Sequence, residues 1–138
     1  MKRIAVKIGS NVLTRDDGTL DVTRMSALVD QVALLRRQDI QVVLISSGAV
    51  ASGRSELAIN HHMDSVDQRQ LFSAIGQAKL INRYYDFLRE HRIHCGQVLC
   101  QKENFTSPEE RVFAVMAESG YPSYTFFVLG FWFRAVFE

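Results

Sequence analysis

The sequence predicts an α/β fold, a three-layer α-β-α sandwich with a mainly parallel sheet. Three observations predict it. Residues 3–8 and residues 42–45 read as strands, the second a continuous apolar run, and such runs fit strands covered on both faces. Each runs into a turn of small residues, Gly9-Ser10 and Ser46-Ser47-Gly48-Ala49. Segments with helical spacing separate the strands, as parallel strands require.

The elements follow in order. After the first strand, residues 11–14 and 19–21 flank Arg15-Asp16-Asp17-Gly18, and Asp-Gly is a strong turn signal, so a hairpin is expected. Asp21 or Thr23 is placed to cap a helix whose apolar residues Met25, Leu28, Val29, Val32 and Leu35 keep helical spacing. Arg36 and Arg37 suit the negative pole at its end. The second strand, residues 41–47, leads into a helix over residues 49–57, and residues 60–67 read as a polar loop. A long helix is predicted over residues 68–89, with Leu71, Ile75, Ala78, Leu80, Ile81, Tyr85 and Leu88 as its apolar residues. Residues 93–100 read as a third strand. In a parallel sheet, ligands bind outside the carboxyl ends of the strands, so the two glycine turns are expected to converge on one crevice.

Bulk properties exclude several function classes. The chain has 138 residues, a formal net charge of +1 and 22% charged residues, which gives no electrostatic case for nucleic acid or a membrane surface. Its N-terminal residues lack the apolar core and cleavage site of a secretory leader. Cys95 and Cys100, on opposite faces of a strand, are expected to stay reduced, which favours a cytoplasmic setting. Residues 112–138 differ in kind. They carry six of the nine phenylalanines and only three charged side chains, Glu118, Arg134 and Glu138. The run from 124 to 137 is too short for a membrane helix and too aromatic to lie exposed in a monomer.

The chemistry points to an anion, and phosphate above all. Lys7 places an ammonium in an apolar strand, where an anionic partner offsets the cost of burying it, although a long side chain also snorkels to a sheet edge. Gly9 and Gly48 let backbone approach a ligand, and Ser47 offers a hydroxyl and an N–H. Gly48 to Ser55 nearly matches the phosphate-loop pattern, but Arg54 replaces its lysine, and Ala49-Val50-Ala51 is better helix than loop. His61, His62 and Asp64 sit in the polar loop without further ligands, so no metal site is assigned. His91, His94 and the cysteines have no nucleophile–base spacing and read as structural.

Val6-Lys7-Ile8-Gly9-Ser10-Asn11-Val12-Leu13-Thr14 and Ile45-Ser46-Ser47-Gly48-Ala49-Val50-Ala51-Ser52-Gly53-Arg54 resemble the glutamate 5-kinase branch of the amino acid kinase family. Gln70 to Gln77 and Gly96-Gln97-Val98-Leu99 continue the match in order, to about residue 111. The resemblance implies ATP-dependent phosphorylation of the side-chain carboxylate of L-glutamate, with Mg2+, to open proline synthesis. It implies that Lys7 is catalytic and contacts ATP phosphates with Gly9 and Ser10, and that Ser47, Gly48 and Ala49 bind the substrate. Members of the family are commonly oligomeric, so a homo-oligomer is an expectation too.

After Arg111 the family's Asn-Glu-Asn-Asp-like strand end, Thr-Asp turn and Gly-Thr-Gly-Gly-like loop find no match. Residues 1–111 are therefore expected to be the N-terminal half of an amino acid kinase domain. Residues 112–138 are expected to be a divergent tail from truncation or a frameshift. The expected rate of such a half-site is small, because positioning supplies much of phosphoryl-transfer catalysis. The alternative is an inactive half-domain that binds anions or self-associates.

Overall fold

The computed structural model describes residues 2–57, 64–98 and the strand at 124–128. The elements run β1 (Lys2–Ile8), α1 (Ser10–Leu13), α2 (Val22–Arg37), β2 (Ile40–Ser46), α3 (Ala49–Arg54), α4 (Ser65–Glu90), β3 (His94–Val98) and β4 (Tyr124–Val128). The sheet has the order β1-β2-β4-β3, and each pairing is parallel. The α/β class and the parallel sheet are as the sequence predicts.

Residue periodicity explains which face is buried. Ile4, Val6 and Ile8 stand in register with Val42, Leu44 and Ser46. The apolar members of this set pack with Met25, Val29 and Val32 of α2 and with Leu80, Ile81, Tyr84 and Leu88 of α4. The alternate residues, Ala5 and Lys7 with Val43 and Ile45, are exposed or half-buried. The described helices α2 and α4 cover one face; a second helical layer is not among the described residues.

Several boundaries move for local reasons. The hairpin expected after β1 is a minimal one, closed by the Arg15 N–H donating to the Thr19 carbonyl at 2.8 Å and the Asp21 N–H to the Leu13 carbonyl at 2.7 Å. Residues 10–13 form a helical turn, closed by the Thr14 hydroxyl donating to the Ser10 carbonyl at 2.6 Å, and Thr14 and Leu20 make a single antiparallel bridge. The Asp17-Gly18 turn itself is present. Asp17 accepts from the Thr19 hydroxyl at 2.6 Å and the Thr19 N–H at 2.9 Å, and these bonds hold its carboxyl below the usual range. Asp21 caps α2, accepting from the Arg24 N–H at 2.9 Å.

Residues 65–67, expected in a loop, open α4, because Asp64 caps it by accepting from the Val66 N–H at 3.3 Å. Helix α3 stops at Arg54, short of residue 57; β3 is described from His94 to Val98, and residues 99–100 of the expected strand lie outside the described residues. His61, His62 and Cys100 lie outside the described residues. Helix α4 also turns a different face inward: Phe72, Gly76, Leu80, Tyr84 and Leu88, a strict i, i+4 ridge, are buried, while Tyr85 is 41% exposed. His91 and Asp30 tie α4 to α2 at 2.8 Å. No described helix is long and apolar enough to cross a membrane.

Strand β4 comes from the aromatic segment that the sequence sets apart as a tail. Val43 pairs with Phe126 and Gly96 with Phe126, so this backbone fills the slot between β2 and β3.

Candidate active site

Parallel, in-register pairing sets Ile8 beside Ser46 at the carboxyl ends of β1 and β2. Both chains then turn away from the sheet, and a cleft of about 580 Å³ opens between the turns, a size usual for small-molecule sites. Lys7, Gly9, Ser10, Ser47, Gly48 and Ala49 all line it. The six residues selected from the sequence are thus brought together.

Each of them has its own local geometry. Lys7 is exposed on the open face beside Ile45, with which it is in register, so its charge is not buried as an apolar strand would demand. Gly9 has an ordinary extended backbone, φ −69° and ψ 158°, and a Cβ there meets nothing within 4 Å. Its conformation does not require glycine. Gly48 does require it: φ is +130° at the start of α3.

Ser47, expected to offer N–H and hydroxyl to a ligand, gives both to the carbonyl of Ile8, each at 3.1 Å. It clamps the two strand ends together, and its Oγ presents lone pairs to the cleft.

Beneath the turn lies a buried relay. Ser46 Oγ lies 3.2 Å from the Ser47 carbonyl and shares a 2.6 Å hydrogen bond with the Tyr84 hydroxyl, in which either oxygen can donate. Burial pushes the Tyr84 hydroxyl up to about 12, which keeps it protonated for that bond. Two glycines set the distance between helices. A Cβ on Gly53 would collide with the Phe72 carbonyl, and one on Gly76 with the Ala49 carbonyl and the Gly53 nitrogen. Helix α3, and with it the Gly48-Ala49 turn, rests directly on the backbone of α4.

The cleft also holds residues to which the sequence assigns no site role: Asn11, Thr14, Arg54, Arg69 and Gln77. Arg54 was weighed there only as the failed lysine of a phosphate loop; Ala49–Arg54 is indeed helix. Its guanidinium lies 5.6 Å over the Phe72 ring, a cation–π arrangement. Gln77 Nε2 is buried without a hydrogen-bond partner among the described residues, a state that costs about 1–3 kcal/mol until an acceptor arrives. The signal for these residues is spatial, since Arg69 and Gln77 lie on a helix distant in sequence from either turn. Among the described residues no three His, Cys, Asp or Glu side chains gather as a metal site.

Known proteins resemble this chain over most of its length. The profile of the amino acid kinase family matches residues 2–121. Proteins named glutamate 5-kinase are similar to it. That of Bacteroides thetaiotaomicron is 63% identical over 123 residues, covering 86% of this chain and 34% of the relative. Those of Pelobacter propionicus and Syntrophus aciditrophicus are each 42% identical, covering 78% and 77% of this chain and 29% and 27% of the relatives. The chain therefore spans about a third or less of the length of these curated relatives.

Proposed function

Starting from a chain that belongs to the amino acid kinase family, we propose that residues 1–111 position the reactants for ATP-dependent phosphorylation of L-glutamate. The product is L-glutamyl 5-phosphate, the first intermediate of proline biosynthesis. A side-chain carboxylate oxygen attacks the γ-phosphorus of ATP, the bond to the bridging oxygen breaks, and ADP leaves. The observation that carries this reading is the convergence of Lys7, Gly9, Ser10, Ser47, Gly48 and Ala49 on one cleft at two strand ends. The name shared by the similar proteins supports glutamate as acceptor.

Lys7 supplies a compact positive charge to the transferring group, whose transition state spreads negative charge over its oxygens. Gly9 and Ser10 face the ATP phosphates. At Gly9 the absence of a side chain serves the ligand's approach, since the backbone does not need it. Ser47, Gly48 and Ala49 face the acceptor, with Ser47 Oγ accepting from its ammonium while the hydroxyl hydrogen stays on Ile8. Mg2+ belongs to the family's chemistry, but the described residues of the cleft include no carboxylate to fit it, and no step is routed through it. A cytoplasmic setting and a homo-oligomer belong to the same proposal.

A second reading, a half-domain that binds anions without turnover, is supported by the three cationic side chains, Lys7, Arg54 and Arg69, that line the cleft. Hydroxylamine trapping of acyl phosphate, formed by the purified chain with ATP and L-glutamate, separates the two. Product that disappears in Lys7→Ala is the expected result for the kinase. Folded, soluble protein that makes none overturns it.

A further inference from the structure

We propose that Arg54 and Arg69 form a second oxyanion-binding pole of the cleft, which holds the α-carboxylate of the acceptor while its side-chain carboxylate reacts near Lys7. This rests on the reading of L-glutamate as acceptor and names the residues that select it. The cleft is lined by three cationic side chains, Lys7, Arg54 and Arg69, and by no aspartate or glutamate among the described residues. Such a wall attracts a ligand with more than one anionic group.

The two arginines are available for that role. Arg24, Lys79 and Arg89 each pair with a carboxylate, to Asp21, Glu56 and Asp86 respectively. Arg54 and Arg69 meet none among the described residues. Arg54 is also held in place. The Phe72 ring lies under its guanidinium, and the chain at Gly18 passes so close that a Cβ there would strike Nη1. One face of the guanidinium is thus occupied by the ring, while its in-plane N–H fork suits a carboxylate.

Placement separates this pole from Lys7. Helix α3 leaves the strand-end turn at Ala49 and ends at Arg54, a rise of about 7–8 Å at roughly 1.5 Å per residue. Both arginines line the same cleft as the strand-end turn, so an acceptor with two carboxylates can present one to each.

The test compares L-glutamate with 4-aminobutyrate, which keeps the reacting carboxylate and the amine but lacks the α-carboxylate. Both are titrated calorimetrically into the 138-residue chain and into the Arg54→Gln/Arg69→Gln double variant, with ATP as a third ligand. Both arginines are exposed, so the variant is expected to fold, as circular dichroism will check. The expected result is a preference for L-glutamate of about tenfold or more, falling to within about twofold in the variant, with ATP affinity unchanged. Equal affinities in the parent chain, no L-glutamate binding, a preference that survives in the variant, or an equal loss of ATP binding each overturns the proposal. Acyl phosphate formation is scored separately. Preference through the arginines without product leaves the pole standing and removes the kinase reading; product with an unaltered preference does the reverse.

Discussion

At Tyr84 one hydroxyl links core packing to the geometry of the cleft. The residue is 0% exposed and its hydroxyl shares a 2.6 Å hydrogen bond with Ser46 Oγ, which also lies 3.2 Å from the Ser47 carbonyl. Tyr84→Phe keeps the ring and removes the hydroxyl, and is expected to cost about 1–2 kcal/mol in urea unfolding. Its pH signature has a definite sign. The folded state holds the hydroxyl at about 12 against an ordinary 10.0, so it favours the protonated form. That contribution, roughly 2–3 kcal/mol, is complete below pH 10 and is lost as pH rises towards 12. Denaturation midpoints between pH 9 and 12 should fall more steeply for the parent than for Tyr84→Phe. Gly48→Ala is a second test at this scale. A Cβ there makes only ordinary contact, 3.5 Å from Leu13 Cδ1, so the cost comes from φ +130°, about 1–3 kcal/mol. By contrast, Gly9→Ala should leave the unfolding midpoint unchanged and weaken ATP binding alone.

The contact between α3 and α4 is decided by backbone meeting backbone. Gly76→Ala adds helix propensity worth about 1 kcal/mol, yet its Cβ would overlap the Ala49 carbonyl and the Gly53 nitrogen. The helices must separate, so thermal unfolding of Gly76→Ala is expected well below the parent, by more than about 2 kcal/mol. Little of this contact was legible in the sequence. Apolar spacing locates α4, and of the two caps the sequence offers for α2, Asp21 and Thr23, the structure uses Asp21, because capping and periodicity are local. The inward face of α4 was misjudged between Tyr84 and Tyr85, since both rings are apolar and the choice rests on Ser46, far away in the chain. The converging turns were legible, because strand ends in a parallel sheet lie together by topology. Arg54 and Arg69 were not, because only the docking of α4 on α3 brings them to the same wall.

For the whole molecule, the arrangement of the sheet matters most. Backbone at 124–128 bonds to strands on both sides, so Phe126→Pro removes a ladder bond in the interior of the sheet. Loss of the cooperative unfolding transition, followed by circular dichroism and gel filtration, is the expected outcome. Cys95 reports on the same integrity. It is 8% exposed, and burial pushes its thiol up to about 12, so in a Cys100→Ser background alkylation near pH 8 should be slow until denaturant is added. Fast labelling in Phe126→Pro would mark the opening of the sheet.

The order β1-β2-β4-β3 also bears on how the chain is made. Strands β2 and β3 are both synthesised before the one that joins them, which is reached only at Tyr124. At about 5–20 residues per second, a nascent chain emerging from the ribosome waits on the order of seconds with two unmatched strand edges facing water. During that interval it is a natural client for chaperones that shield exposed β-edges, and its yield in cells should depend on translation speed between codons 99 and 128.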